Sequence, residues 1–171
     1  MKTRLTTLFA LLGALVISNL PAAAEEHSSI TASNAIVVLA ADADKAIADA
    51  LKLARQQGKH VLVQSCANGC TWCKVLKKLL ASDEKLAAKI KSDFIYIIVD
   101  TSDDPGNSFS KKYADNTNHA VIFLALDADG KRVGLKVGTE VVEGDPEHPD
   151  TTFHISPDTV MKFLNDWSPK K

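Results

Sequence analysis

Cys66, Cys70 and Cys73 are the only cysteines in the chain, and they lie within the eleven residues Gln64-Ser65-Cys66-Ala67-Asn68-Gly69-Cys70-Thr71-Trp72-Cys73-Lys74. Their spacings are C-x-x-x-C and C-x-x-C. Thiols so grouped have three chemistries open to them: nucleophilic attack, disulfide formation and soft-metal binding. The reactive species is the thiolate, so what matters is whether the surroundings stabilise negative charge at one of these sulfurs.

The flanking elements supply that stabilisation. His60 to Val63 has the β-branched, apolar character of a buried strand, and the apolar residues of Val75-Leu76-Lys77-Lys78-Leu79-Leu80 recur at helical spacing. The cysteines therefore stand where a strand ends and a helix begins. Unpaired N–H groups and the positive end of the helix dipole favour an anion there, which makes a cysteine at that point a usable nucleophile.

The chain around this segment is of one-domain size. Lys2 and Arg4, the apolar stretch Leu8 to Ile17 and the small residues Ala22-Ala23-Ala24 form the three parts of a secretory signal, with cleavage expected before Glu25. The apolar run is too short and interrupted to span a membrane. Residues 1–24 are thus set apart as a signal peptide and 25–171 as the folded domain. Periplasmic or secreted location follows, with no stable membrane insertion after cleavage. A net charge of −1 with no basic block outside the signal gives nucleic-acid binding no support. In an oxidising compartment the C-x-x-C pair can form a disulfide, while cysteines so closely bunched close only small loops and add little as a structural framework.

Taken in order, Ala35 to Ala41 is expected to form a strand, and a helix follows from Asp42 with Ala43, Ile47, Ala50, Leu51 and Ala54 on one face and Gly58 as its stop. After the cysteine helix, which is expected to run to about Ala81, Ser82 is the expected cap of a further helical piece carrying Leu86 and Ile90. Residues 94–99 and 120–126 are nearly continuous apolar runs, as in central strands, with a short helix over Asn107 to Ala114 between them. The turn Asp127 to Gly130 leads to an edge strand in which Val133, Leu135 and Val137 share a buried face. Glu143 to Thr152 is expected to be a solvated loop outside regular structure, with His148 and His154 as ordinary surface residues. Ser156-Pro157 opens the last helix, whose apolar face holds Val160, Phe163, Leu164 and Trp167. The expected class is α/β: a mixed sheet with helices on both sides.

On these residues the chain resembles the thioredoxin superfamily, in particular its exported members with a C-x-W-C motif. The likeness runs from Lys59 to Val63 through Cys70-Thr71-Trp72-Cys73-Lys74, the 94–99 strand, the hairpin at Asp129-Gly130-Lys131 and the final helix. It implies a thioredoxin-like fold and an exported thiol–disulfide oxidoreductase. In that role Cys70 is the attacking cysteine and Cys73 the resolving one, reaching it across one helical turn. The implied partners are protein thiols or disulfides and a reducing or oxidising partner protein, with no cofactor required. Three departures stand out. Gln64 occupies the place of the family's buried aspartate and cannot ionise. No proline occurs between Pro105 and Pro146, where the family has a cis-proline ahead of the facing strand. Cys66 stands where many members carry an aromatic residue.

A second similarity is to Sco-type copper chaperones, which share this fold and bind copper through C-x-x-x-C and a distant histidine. It implies a metal set of Cys66, Cys70 and His119 and makes copper binding the alternative function. The Sco prolines are absent, and that motif leaves Cys70-Thr71-Trp72-Cys73 unexplained. A redox-inert interaction module is the third reading. At the residue level several alternatives stay open: a small buried residue, redox group or ligand for Cys66; a hydrogen-bonded loop residue or ligand for His119; and packing or substrate contact for Trp72. Lys74, Lys77 and Lys78 solvate a helix, with Lys74 near enough in sequence to add to thiolate stabilisation.

Overall fold

A computed structural model describes residues 35–104, 106–117, 119, 121–143 and 154–170. The expected signal peptide lies outside these, as do Pro105, Asn118, Ala120 and the stretch 144–153 with His148.

The first strand, β1, is Ala35–Leu39; a single 3-10 turn follows, and then helix α1, Ala43–Gln57. Ala43, Ile47, Ala50 and Ala54 are buried along one side of α1, and Gly58 ends it at φ 64°, in the left-handed region where a side chain is disfavoured. Strand β2 is His60–Cys66, and the cysteine helix α2 is Thr71–Ser82. Helix α3, Glu84–Asp93, leads into strand β3, Phe94–Asp100, which is buried over nearly its whole length. Ser82 is not the cap of α3. That place belongs to Asp83, whose Oδ1 accepts from the N–H groups of Lys85 and Leu86, both at 3.0 Å, while Ser82 is still the last residue of α2.

Helix α4, Ser108–Tyr113, precedes strands β4, Ile122–Leu126, and β5, Arg132–Val137. The five strands form one sheet in the order β1-β3-β2-β4-β5, with β1 and β2 parallel to β3, β2 antiparallel to β4, and β4 antiparallel to β5. The parallel pairs require crossovers, which α1 and the α2–α3 pair provide. Both sheet faces are covered. α1 and α4 close over Val61, Val63, Ile95, Ile97, Val99 and Leu124, whereas α2, α3 and the last helix, α5 (Pro157–Asp166), close over Leu62, Tyr96, Ile98 and Phe123. Strand alternation sends neighbouring residues to opposite faces, which is why these runs read as continuously apolar.

Two expectations change. β5 is an edge strand, but its 133/135/137 face is only partly covered, and Val133 is 39% exposed because it stands at the border of the sheet. The region after β5 is also more regular than expected. Strand β6, Val142–Glu143, pairs antiparallel with β7, His154–Ile155, through Val142 with Ile155 and Glu143 with His154. The two ends of the predicted loop are thus held together, and Ile155 is buried in the main cluster. Ser156 caps α5 as expected, its hydroxyl accepting from the Thr159 N–H at 3.3 Å.

Candidate active site

The turn that delivers the cysteines is short and tied down. The Cys70 N–H donates to the Ala67 carbonyl at 3.2 Å, and Gly69 within that turn adopts φ 76°. A second loop clamps it from the side. Thr101 N–H donates to the Cys66 carbonyl at 2.8 Å, and Asn68 N–H donates to the Ser102 hydroxyl at 2.7 Å. Ser102 is in turn oriented by Asp100, whose Oδ1 accepts its backbone N–H at 2.9 Å. Deeper in the fold, the buried Ser65 hydroxyl accepts from Ile122 N–H at 2.8 Å and joins the end of β2 to the start of β4.

Cys70 is the N-cap of α2. Its Sγ accepts a hydrogen bond from the Cys73 N–H at 3.1 Å, the relation that would hold a thiolate at this point. Cys70 and Cys73 form a disulfide with their Cα atoms 5.3 Å apart. The two sulfurs are not equivalent to an approaching reagent. Cys73 is buried, at 1% exposure, whereas Cys70 is only partly covered. An incoming thiolate can therefore reach Cys70 and displace Cys73.

Around the disulfide, Trp72 (36% exposed) and Val75 (41% exposed) leave apolar surface facing solvent, while Leu76 and Leu80 turn inward. Lys74, Lys77 and Lys78 lie on the exposed side of α2. Beneath the site, Gln64 is completely buried and its Oε1 accepts a hydrogen bond from the Tyr96 hydroxyl. Burial pushes the Tyr96 hydroxyl well above its ordinary pKa, with the charge at Cys66 adding to the effect, so this phenol stays protonated.

Cys66 is a free, partly buried thiol at the end of β2, packed against the same apolar cluster as the disulfide. Burial first, and then the Asp100 carboxylate, raise its pKa above the usual thiol value, with Lys77 acting in the opposite sense. It is therefore less reactive than an ordinary thiol at neutral pH. His119 is exposed and near Glu140, whose carboxyl is held below its usual range by Lys136, then by the Val137 N–H, and to a smaller extent by His119. Among the described residues no three His, Cys, Asp or Glu side chains are gathered so as to hold a metal ion. Cys66, Cys70 and His119 are thus not assembled as a ligand set here, and Cys70 Sγ is engaged with Cys73. A separate cleft of about 430 Å³ lies between β1 and α1, lined by Val38, Asp42, Lys45 and Asp49. It is on the α1 side of the sheet, away from the disulfide, and has no part in this site.

A family model described as thioredoxin-like matches residues 42–127, which takes in the cysteine helix and both central strands that flank it. The chain belongs to the thioredoxin-like family. Solved structures agree on the fold of this thioredoxin-like protein. It is similar to a disulphide isomerase from Xylella fastidiosa Temecula1, with 24% identity, a TM-score of 0.57, and coverage of 72% of this chain and 89% of that one. It is also similar to the thioredoxin NaTrxh from Nicotiana alata, with 16% identity, a TM-score of 0.51, and coverage of 78% and 94%. No match was found among curated proteins.

The residues missed in the sequence are those that hold the site rather than react. Thr101, Ser102 and Asp100 clamp the motif turn across a gap of more than thirty positions, as Tyr96 does for Gln64. Nothing in their local sequence marks them, since a serine or threonine after a strand is ordinary turn composition.

Proposed function

We propose that this protein is an exported thiol–disulfide oxidoreductase that exchanges disulfides with protein thiols. The observation that carries the reading is the asymmetric pair at the start of α2: a partly exposed Cys70 whose sulfur accepts the Cys73 N–H, bonded to a buried Cys73. In the reducing direction a Cys70 thiolate attacks a substrate disulfide and forms a mixed disulfide. Cys73 then attacks Cys70 Sγ, re-forms the internal disulfide and expels the substrate thiol, so two electrons pass to the substrate. The exposed Trp72 and Val75 give an unfolded or extended segment a surface beside Cys70. Export rests on the signal-like residues 1–24, and the name of the Xylella relative fits the same chemistry. No helix among the described residues is long and apolar enough to cross a membrane.

The test is reduction of a model disulfide by the purified domain supplied with a dithiol. Cys70→Ser should abolish turnover, and Cys73→Ser should accumulate mixed disulfides visible on non-reducing gels. Full activity in Cys70→Ser would refute the assignment. N-terminal sequencing of the exported form should begin near Glu25, and an uncleaved chain would overturn export.

A further inference from the structure

The buried layer under the disulfide contains a polar side chain with half of its hydrogen bonding incomplete. Gln64 is 0% exposed; its Oε1 is held by Tyr96, and its Nε2 has no partner. An unpaired buried donor is unfavourable, and native interiors rarely keep one without a use.

Its place in the fold indicates the use. Alternation along β2 puts Gln64 on the same face as Leu62, and its register neighbours are Ile98 and Phe123. Leu62, Ile98 and Phe123 all belong to the cluster that buries Cys73. Because β3 runs parallel to β2, α2 and α3 must carry the chain back across this face. Cys73 is the first buried residue of α2, with Leu76 and Leu80 following, and Gln64 is the last fully buried residue of β2 on that side. The short motif turn joins this strand end to the helix start, so the unpartnered amide and Cys73 border the same buried cluster.

We propose that Gln64 is a positioning residue for disulfide exchange, its Nε2–H donating to Cys73 Sγ when the disulfide opens. This rests on the oxidoreductase reading above. When a thiolate RS⁻ attacks Cys70 Sγ, the RS–S bond to Cys70 forms and the Cys70–Cys73 bond breaks. The electron pair leaves on Cys73 Sγ, which becomes a buried thiolate. A second thiol completes reduction by attacking the mixed disulfide and releasing RSSR and the Cys70 thiolate. Gln64 takes no proton in this sequence. It stabilises the leaving sulfur by a hydrogen bond to charge, and the proton that later neutralises Cys73 comes from solvent or from the attacking thiol.

The experiment equilibrates the full chain with glutathione redox buffers from neutral to alkaline pH, comparing wild type with Gln64→Met, Gln64→Glu and Tyr96→Phe. Gln64→Met should shift the equilibrium toward the disulfide about tenfold, a potential about 30 mV more negative, and raise the pH at which Cys73 titrates. Gln64→Glu keeps the shape and an acceptor for Tyr96 but, once ionised, opposes the thiolate, so its shift should grow with pH. Tyr96→Phe retains the amide N–H but removes the hydroxyl that holds it, so its shift should have the same direction as that of Gln64→Met and be clearly smaller. Unchanged potentials in both Gln64 variants, or an equal shift in Tyr96→Phe, would overturn the proposal while leaving the oxidoreductase reading intact. A wild-type protein that does not exchange with glutathione would overturn both. If the Gln64 variants do not fold, the Gln64 side-chain amide signals of wild-type protein decide: they should move on reduction and titrate with Cys73, and indifference to redox state would overturn the proposal.

Discussion

Gly134 of the edge strand lies directly under the Trp167 indole: a β-carbon there would sit 1.9 Å from Trp167 Cε2 and 2.0 Å from Nε1. The absence of a side chain is what lets the residue after α5 close over β5. The same ring stands 4.7 Å from Phe163, which is 5.3 Å from Phe123, so the contact belongs to an aromatic chain running into the core. Gly134→Ala should therefore expel the indole or bend the strand and cost about 1–3 kcal/mol. Thermal melting would show the loss, and tryptophan fluorescence would shift to the red as the ring gains water. An unchanged melting curve would mean that the ring moves aside without cost.

Cys66 should alkylate slowly in the oxidised protein at neutral pH. Burial and the Asp100 carboxylate raise its pKa above the usual 9.0, and only the thiolate reacts. The rate should climb with pH to a midpoint above that value, and Asp100→Asn should move the midpoint down. Cys66→Ser should keep most of its disulfide-exchange activity.

The α2–α3 junction offers a test at two adjacent residues. Asp83→Ala removes the acceptor for two N–H groups at the start of α3 and should cost about 1 kcal/mol. Ser82→Ala, at the exposed end of α2, should be close to neutral. Denaturant unfolding of the two variants side by side distinguishes them.

Asp93 contributes to stability against acid. Burial alone would raise its pKa, but hydrogen bonds from Lys89, Ser168 and Ser92 outweigh burial and hold it well below 3.8. A carboxyl with a depressed folded pKa stabilises the fold fully above its unfolded pKa, and that stability is lost as pH falls through the folded value. Its side chain is 12% exposed and bonded to Lys89 at 2.7 Å, so Asp93→Asn should cost about 1 kcal/mol at neutral pH. The gap between wild type and variant should begin to narrow below about pH 4 and vanish only at pH values well below that. A gap that stays constant with pH would assign the effect to packing.

Local sequence was enough wherever a few neighbouring residues determine the outcome. The change from strand-like to helix-like periodicity on either side of Cys66–Cys73 placed the cysteines at a strand–helix junction, because apolar spacing is set by backbone geometry over a turn or two. Gly58 and Ser156-Pro157 marked helix ends for the same reason: φ preference and capping act within a few residues. The mixed sheet with two covered faces was also legible, since the apolar runs 94–99 and 120–126 leave almost no polar face for solvent. Tertiary structure alone decided matters that depend on residues distant in the chain. The Asp83 cap turned on one residue of register between two consecutive helices. Pairing of Glu143 with His154 joined segments whose own composition favours neither strand. The partial cover of β5 follows from its place at the edge of the sheet. The surroundings of the cysteines belong to the same group: Thr101 and Ser102 clamping the motif turn, Tyr96 holding Gln64, and the packing that encloses Cys73 and leaves Cys70 partly exposed. Spacing along the chain carries the valence of a cysteine pair, but reactivity depends on desolvation and on hydrogen-bond donors within a few ångströms, which exist only once separate strands and helices have packed.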